Sequence, residues 1–379
     1  DENYAREVMQ LFSIGLTELN GDGTPKMQAG KPRETYGPAD IADLARVFTG
    51  FSWACPAAPA NNCFFNGSSN NASDADRTFK SMVGYPQFHS TEAKTFLGTT
   101  IAAQTTASPQ ASLSAALDAL HRHPNAGPFI GKQLIQRLVT SNPSPAYVKA
   151  VSDAFADNGA GARGDMKAVI KAVLLHPEAR ATSTTAGKVR EPVLRLSALL
   201  RAFGYRSDTG EYRIGNTDNP GTSLGQTPLR APSVFNFYRP GYVPPGTEAA
   251  ALALVVPEMQ IVHETSAAGY VNVIRDAISS GVGATTSASG ASRRDLQPDF
   301  TAELALADQP GALADRINAK LMFGAMPVDL KAEIQGAIEK IVIPASTANN
   351  AAQIATAKRN RVNAAIFLAM VSPEFLVQK

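Results

Sequence analysis

The chain reads as an all-α protein: a multi-helix, bundle-like body with a small β-hairpin near the N-terminus and long surface loops. Three observations predict this. Apolar residues return at three- and four-residue spacing in segment after segment, which places them along one face of a helix. Strand-like alternation is almost absent. Proline also repeatedly follows an apolar run, as in Leu174-Leu175-His176-Pro177-Glu178, Val255-Val256-Pro257-Glu258 and Met370-Val371-Ser372-Pro373-Glu374. A residue without an N–H halts a helix there.

The elements follow in order. Asp1 suits an N-cap, and the acids in Asp1-Glu2-Asn3-Tyr4-Ala5-Arg6-Glu7 suit the positive end of a helix dipole. Apolar spacing then predicts a helix over 4–16. The abrupt start at Asp1, without a Met, marks a processed, truncated or first-visible residue, with any targeting segment upstream. Asn20-Gly21-Asp22-Gly23-Thr24 is a strong turn and predicts a short hairpin reaching to about Tyr36. Helical spacing resumes over 41–48, 113–120, 129–139, 147–155, 166–175 and 193–203. It returns over 249–278, 313–323, 330–341 and 362–371. The stretches 132–155 and 319–341 each hold an apolar helix, a break with proline and a second apolar helix, which hints at a duplicated helical hairpin.

Two stretches read as irregular. The segment 61–73 is rich in Asn, Ser and Gly and predicts a surface loop. Gly, Ser, Ala and Thr crowd 279–292 and predict a flexible linker. The expected organisation is therefore a main helical body over 1–278, a linker over 279–299 and a C-terminal helical lobe over 300–379 packing on the body. The stretch 216–246 carries many Pro, Gly and aromatic residues and is too apolar for a loose linker, so it is expected to pack on the body.

Composition bounds the function. With 379 residues, 44% hydrophobic and 18% charged, the chain can bury a real core. Its 35 basic and 33 acidic residues leave a net charge of +2, which gives no broad field for gripping nucleic acid. No apolar run is long enough to span a bilayer. The two cysteines, Cys55 and Cys63, flank a loop rich in Pro, Ala and Asn that core packing cannot hold. A disulfide closing it is the simple reading and points to an oxidising compartment. Two unrelated thiols are the alternative, and a metal site lacks a companion pair of ligands.

At Glu2-Asn3-Tyr4-Ala5-Arg6-Glu7-Val8-Met9-Gln10-Leu11-Phe12, followed by Gly15, the chain resembles the bacterial domain of unknown function 1800 family. Further blocks agree: Leu44 to Phe51, His89 with Lys94-Thr95-Phe96-Leu97-Gly98, and His123-Pro124-Asn125 with the run from Leu134 to Pro145. So do Lys188-Val189-Arg190-Glu191-Pro192, the run from Ala231 to Pro240, and Ser372-Pro373-Glu374-Phe375-Leu376. The family pattern's N-terminal part is missing. The resemblance implies a large bacterial protein of a kind commonly carrying export signals. It implies no activity and supplies no catalytic residues.

The candidate chemistry is sparse. Glu7 and Asp43, beside Arg6 and Arg46, could form an acid/base site, although an Arg–Glu lattice pinning two helices is the favoured reading. His89, in an aromatic loop near Lys94, is the best candidate among the histidines for a proton carrier or ligand; its plain alternative is a ring bonded to a backbone carbonyl. His121 and His123 diverge on a helix and cannot easily share an ion, and His123 and His176, each before a proline, suit capping of helix carbonyls. His263 beside Glu264 reads as a surface pair within a helix. A calcium-loop reading that starts at Glu18 puts Gly23 at the right place and fails at Ala29, where a bidentate Glu is required. Arg230, Phe235, Phe237, Tyr238, Arg239 and Tyr242 could stack on sugar rings or hold an anion, or could plug the core as an anchor, which is the favoured reading. Nucleophile-elbow, dinucleotide and phosphate-loop motifs are absent from the sequence.

The expectation is an extracytoplasmic protein, periplasmic or secreted, with a binding or assembly role and a protein partner or self-assembly. No cofactor, metal, nucleic acid or membrane span is indicated. The alternative is a secreted hydrolase of a polymer such as a polysaccharide, using Glu7, Asp43 and His89 with the 235–242 loop as platform. The sequence leaves open whether the protein is an enzyme.

Overall fold

The computed structural model describes residues 1–69, 72–181 and 187–378. Among them are sixteen α-helices and thirteen short strands. The chain is helix-rich, but the strands pair into six small antiparallel sheets, so the all-α expectation with a single hairpin is too simple. Most of these strands are two or three residues long. That is too short for a period of two to show in the sequence. The chain divides into two compact units, Asp1–Ala181 and Thr182–Lys379.

In the first unit, α1 (Glu2–Gln10) is capped as expected, with Asp1 Oδ1 accepting the Asn3 N–H at 2.9 Å. It stops short of the predicted end. The N–H groups of Ile14 and Gly15 both turn back to the Met9 carbonyl at 3.0 Å. Gly15 holds φ +75°, and a Cβ there would lie 2.6 Å from Phe129 Cε2. The predicted hairpin follows, with bridges Thr17–Glu34 and Leu19–Pro25 and paired strands Met27–Gln28 and Lys31–Pro32. Asn125, 1% exposed, fastens its entry: Nδ2 donates to the carbonyls of Ile14 (2.8 Å) and Thr17 (2.6 Å), and Oδ1 accepts from Leu19 N (2.8 Å).

Helix α2 (Pro38–Val47) begins with Pro at its first turn, and Asp40 Oδ2 accepts the Gly37 N–H at 2.8 Å. The hairpin of β1 (Lys94–Phe96) and β2 (Thr99–Ile101) lies on it and was not predicted. Two carboxylates of α2 hold it: Asp40 Oδ1 accepts from Leu97 N (2.8 Å) and Asp43 Oδ2 from Thr95 N (2.7 Å). With α3 (Pro109–Arg122), these elements bury Met9, Leu44, Val47, Phe96, Ala116 and Leu120. A second core joins α4 (Ala126–Leu138), α5 (Pro145–Ala156) and α6 (Met166–Leu175) through Ile135, Tyr147, Val151, Val169 and Val173. Each such side chain, fully buried, contributes roughly 1.5–3 kcal/mol.

The segment 61–73 holds more structure than the expected loop. Asn61–Asn66 is a helix, and Ser68–Ser69 pairs with Ala72–Ser73. The disulfide Cys55–Cys63 closes this region with a Cα–Cα distance of 5.6 Å, and Cys63 is fully buried.

The second unit runs β3 (Lys188–Val189), α7 (Pro192–Ala202), β4 (Arg206–Ser207), α8 (Glu264–Ser280), β5 (Val282–Thr286), β6 (Arg293–Gln297), α9 (Pro310–Ile317), α10 (Val328–Glu339), α11 (Ala351–Val371) and β7 (Val377–Gln378). β3 pairs with β7, and β6 lies between β4 and β5. The stretch read as a flexible linker is therefore largely a β-hairpin. Asp295, fully buried on β6, accepts from Ser207 Oγ (2.7 Å), Thr209 N (2.9 Å) and Arg213 N (2.9 Å). Leu199, Phe203, Ile274, Leu313, Ile338 and Ile366 share one core. Because that core draws on residues before and after the hairpin, the expected boundary at 279–299 falls inside a unit, and the observed division lies at 181–182. The predicted helix 249–278 is also broken. Glu248–Ala251 and a 3-10 turn, Pro257–Ile261, precede α8. Ser266 Oγ accepts the His263 N–H at 2.8 Å and starts α8 afresh, so His263 sits at its N-cap and not within a helix.

Candidate functional site

His89 follows the 3-10 turn Pro86–Phe88 and is 6% exposed. Burial lowers its pKa, and Nδ1 donates to the Thr49 carbonyl at 2.9 Å. Ser112 Oγ on α3 donates to Nε2 at 2.9 Å and accepts from Gln104 Nε2 at 3.0 Å. This Ser–His pair, which sequence reasoning missed at Ser112, resembles the start of a nucleophilic relay. A carbonyl stands where an orienting carboxylate belongs, and Ser112 is fully buried. The network ties the loop after α2 to α3. It is the carbonyl-bonded histidine of the plain reading, with every ring nitrogen used.

Lys94 lies beside it with no exposure, donating to the carbonyls of Ser90 (2.6 Å) and Glu92 (3.0 Å). Burial, reinforced by Arg46, pulls its pKa down. Asp43 divides its oxygens between Arg46 (3.0 Å) and the Thr95 N–H (2.7 Å). Glu7 is buried on α1, and its Oε2 has no hydrogen-bond partner among the described residues. Glu7, Asp43 and His89 share no hydrogen bond or ion pair with one another. His123 and His176 do cap, but as acceptors: each Nδ1 takes the N–H two residues on, Asn125 at 3.1 Å and Glu178 at 3.2 Å. The proline after each histidine ends one helix and lets the ring start the next.

The second unit holds a more suggestive cluster. β3 carries Lys188, and its Nζ meets Glu258 Oε1 at 2.9 Å, with side chains 2% and 1% exposed. Glu258 Oε2 is buried without a partner among the described residues. Two residues along the chain, half-buried Arg190 stacks its guanidinium 4.5 Å from the centroid of Phe375. Arg195 on α7 is 3% exposed, lies 4.8 Å from the centroid of Tyr270, and donates from Nε to the Arg190 carbonyl at 2.6 Å. Burial lowers the pKa of both arginines. Gln226 bridges this cluster to the following loop, donating to Glu191 Oε2 and accepting the Val193 N–H at 3.0 Å. Sequence reasoning did not single out Arg195; the signal was a guanidinium on the apolar face of α7.

The predicted binding residues lie on that loop. Its neck is knotted by Thr217, which donates to Thr227 Oγ1 (2.8 Å) from N and to the Gln226 carbonyl (2.6 Å) from Oγ1. Arg230 pairs with Asp218 at 2.8 Å. Arg239 sits 4.8 Å from the centroid of Phe235, and its N–H donates to Gln260 Oε1 at 2.8 Å. Tyr242 accepts the Val256 N–H at its carbonyl (2.8 Å), and Phe237 and Tyr242 are half-buried. Only Tyr238 of the group is buried, at 2%. Phe235 is 38% exposed, while Leu229 and Val234 are exposed at 103% and 43%.

Among the described residues, no group of three or more His, Cys, Asp and Glu is placed to hold a metal ion, and no helix is long and apolar enough to cross a membrane. No curated protein and no solved structure matches the chain. A family model does match, over residues 1–377: the family is described as protein of unknown function (DUF1800), and the chain belongs to it.

Proposed function

We propose that the protein acts outside the cytoplasm as a binding protein, docking a protein partner through the loop that carries Arg230, Phe235, Phe237, Tyr238, Arg239 and Tyr242. The observation that carries this reading is the exposure of Leu229, Val234 and Phe235 on a loop fixed at both ends by hydrogen bonds. An ordered loop that leaves apolar side chains in water gains by covering them, and aromatic and arginine side chains are favoured anchors in such contacts. Arg230 and Arg239 flank the patch, so the partner presents an apolar surface edged by carboxylates. The Cys55–Cys63 disulfide supports a periplasmic or secreted location. A polymer hydrolase working through Glu7, Asp43 and His89 is the second reading, and the internal contacts of those residues favour the first.

The test is a photo-crosslinking residue at position 235 in the full-length protein, expressed in its native cell. A discrete adduct that is absent when the probe sits at exposed Glu333, and lost on Arg239→Glu, is expected. The same adducts from both positions, or none from 235, overturn the reading. Recovery of the protein in the cytoplasmic fraction overturns its location.

A further inference from the structure

We propose that Arg190 and Arg195 form a binding site for a tetrahedral oxyanion, the phosphate or sulfate group of a small ligand. This goes beyond the docking loop and does not depend on it. An arginine stays charged at any physiological pH, and burying one is costly unless an anion meets it. Arg195 is buried, yet no carboxylate lies within ion-pair distance of it or of Arg190 among the described residues. The nearby acids are engaged elsewhere: Glu258 with Lys188, Glu191 with Gln226.

The donor inventory is equally one-sided. A guanidinium has five N–H donors. Arg195 uses Nε on the Arg190 carbonyl, and neither guanidinium makes a further protein hydrogen bond among the described residues. Meanwhile the flat faces are occupied, Arg190 by Phe375 and Arg195 by Tyr270. Stacking fixes each plane and leaves the N–H edges as the free recognition surface, the geometry that suits a two-pronged grip on an oxyanion. Like charges also repel, and Arg190 disfavours the charge on Arg195. An anion between them removes that penalty. Two cationic forks match a tetrahedral anion better than a carboxylate, whose two oxygens one fork satisfies. Of the two, half-buried Arg190 is the one that reaches solvent.

Calorimetric titration of the full chain with inorganic phosphate, sulfate, acetate and chloride, at matched ionic strength, tests the site. Saturable binding of phosphate or sulfate, with a raised melting temperature and no such response to chloride, is expected. Arg190→Gln should weaken that binding by about tenfold or more, and Arg190→Lys should keep part of it. Among the described residues Arg190 makes no side-chain hydrogen bond, so these variants test the site even if Arg195→Gln fails to fold. The proposal is overturned if phosphate and sulfate act no more strongly than chloride, or if Arg190→Gln binds them like the parent. Acetate binding as tightly as phosphate overturns the tetrahedral assignment.

Discussion

Replacing Lys188 by Met removes one half of an ion pair whose members are 2% and 1% exposed. The change strands Glu258, whose Oε2 has no partner among the described residues and whose Oε1 would lose Lys188. Breaking a buried pair in this way costs about 3–5 kcal/mol, because an uncompensated charge stays in the interior. For a unit of this size that corresponds to a fall of roughly 6–20 °C in the melting transition. Glu258→Leu strands the ammonium instead and should cost a similar amount. The double variant, Lys188→Met with Glu258→Leu, should return to within about 2 kcal/mol of the parent, since a packed apolar pair replaces two desolvated charges. Scanning calorimetry of all four proteins is the assay. A single variant that loses less than about 1 kcal/mol, or a double variant that loses the sum of the singles, refutes the reasoning. The double variant has a second use. If it still responds to phosphate, the Lys188–Glu258 pair serves folding and the neighbouring arginines serve the ligand.

Three further outcomes follow from the same bonds. Asn125→Ala removes three hydrogen bonds that hold residues 14–19, and should destabilise the first unit by about 3 kcal/mol or more in urea titration. Asp295 is buried, which alone would raise its pKa, but donation from Arg213, Ser207 and Thr209 outweighs this and holds it at about 2. Its folded pKa thus lies below the unfolded value, so its contribution is complete at neutral pH and fades as pH falls from about 4 toward 2; Asp295→Asn should flatten that part of an acid denaturation curve. Replacing Cys55 and Cys63 by Ala opens a loop with a sequence separation of 8 and should cost about 2–3 kcal/mol, read as a lower melting temperature under non-reducing conditions.

The long helices are readable in the sequence because each carries enough turns for its apolar face to repeat, as in Pro145–Ala156 or Met166–Leu175; of Ala351–Val371 only the stretch 362–371 shows that spacing. The N-terminal hairpin is readable because its turn residues act locally. What escapes is fixed from a distance. Asn125 reaches back 106 positions to Leu19, and Asp43 reaches 52 forward to Thr95, and no local pattern announces such partners. The hairpin of β1 and β2 is held by such distant acceptors, the carboxylates of Asp40 and Asp43. Apolar spacing alone also overran two helix ends: at Gly15, where Phe129 packs against the backbone, and near Pro257 and Ser266, where a new cap restarts the chain.

The candidate sites divide along the same line. His89 stood out because it is a histidine among aromatics, and its partners are a carbonyl and a buried hydroxyl, which tie it into the packing between the loop after α2 and α3. Arg195 did not stand out because one arginine in an apolar helix looks like a residue extending its charged tip to water. Its position at 3% exposure denies it that escape. The contrast with Lys188, seven residues earlier on the same cluster, is the telling one. There the fold brings in Glu258 to neutralise a buried cation, and so it can solve that problem when stability is all that is needed. Leaving two stacked guanidiniums without such a carboxylate among the described residues is a standing electrostatic cost, and the proposed oxyanion would relieve it.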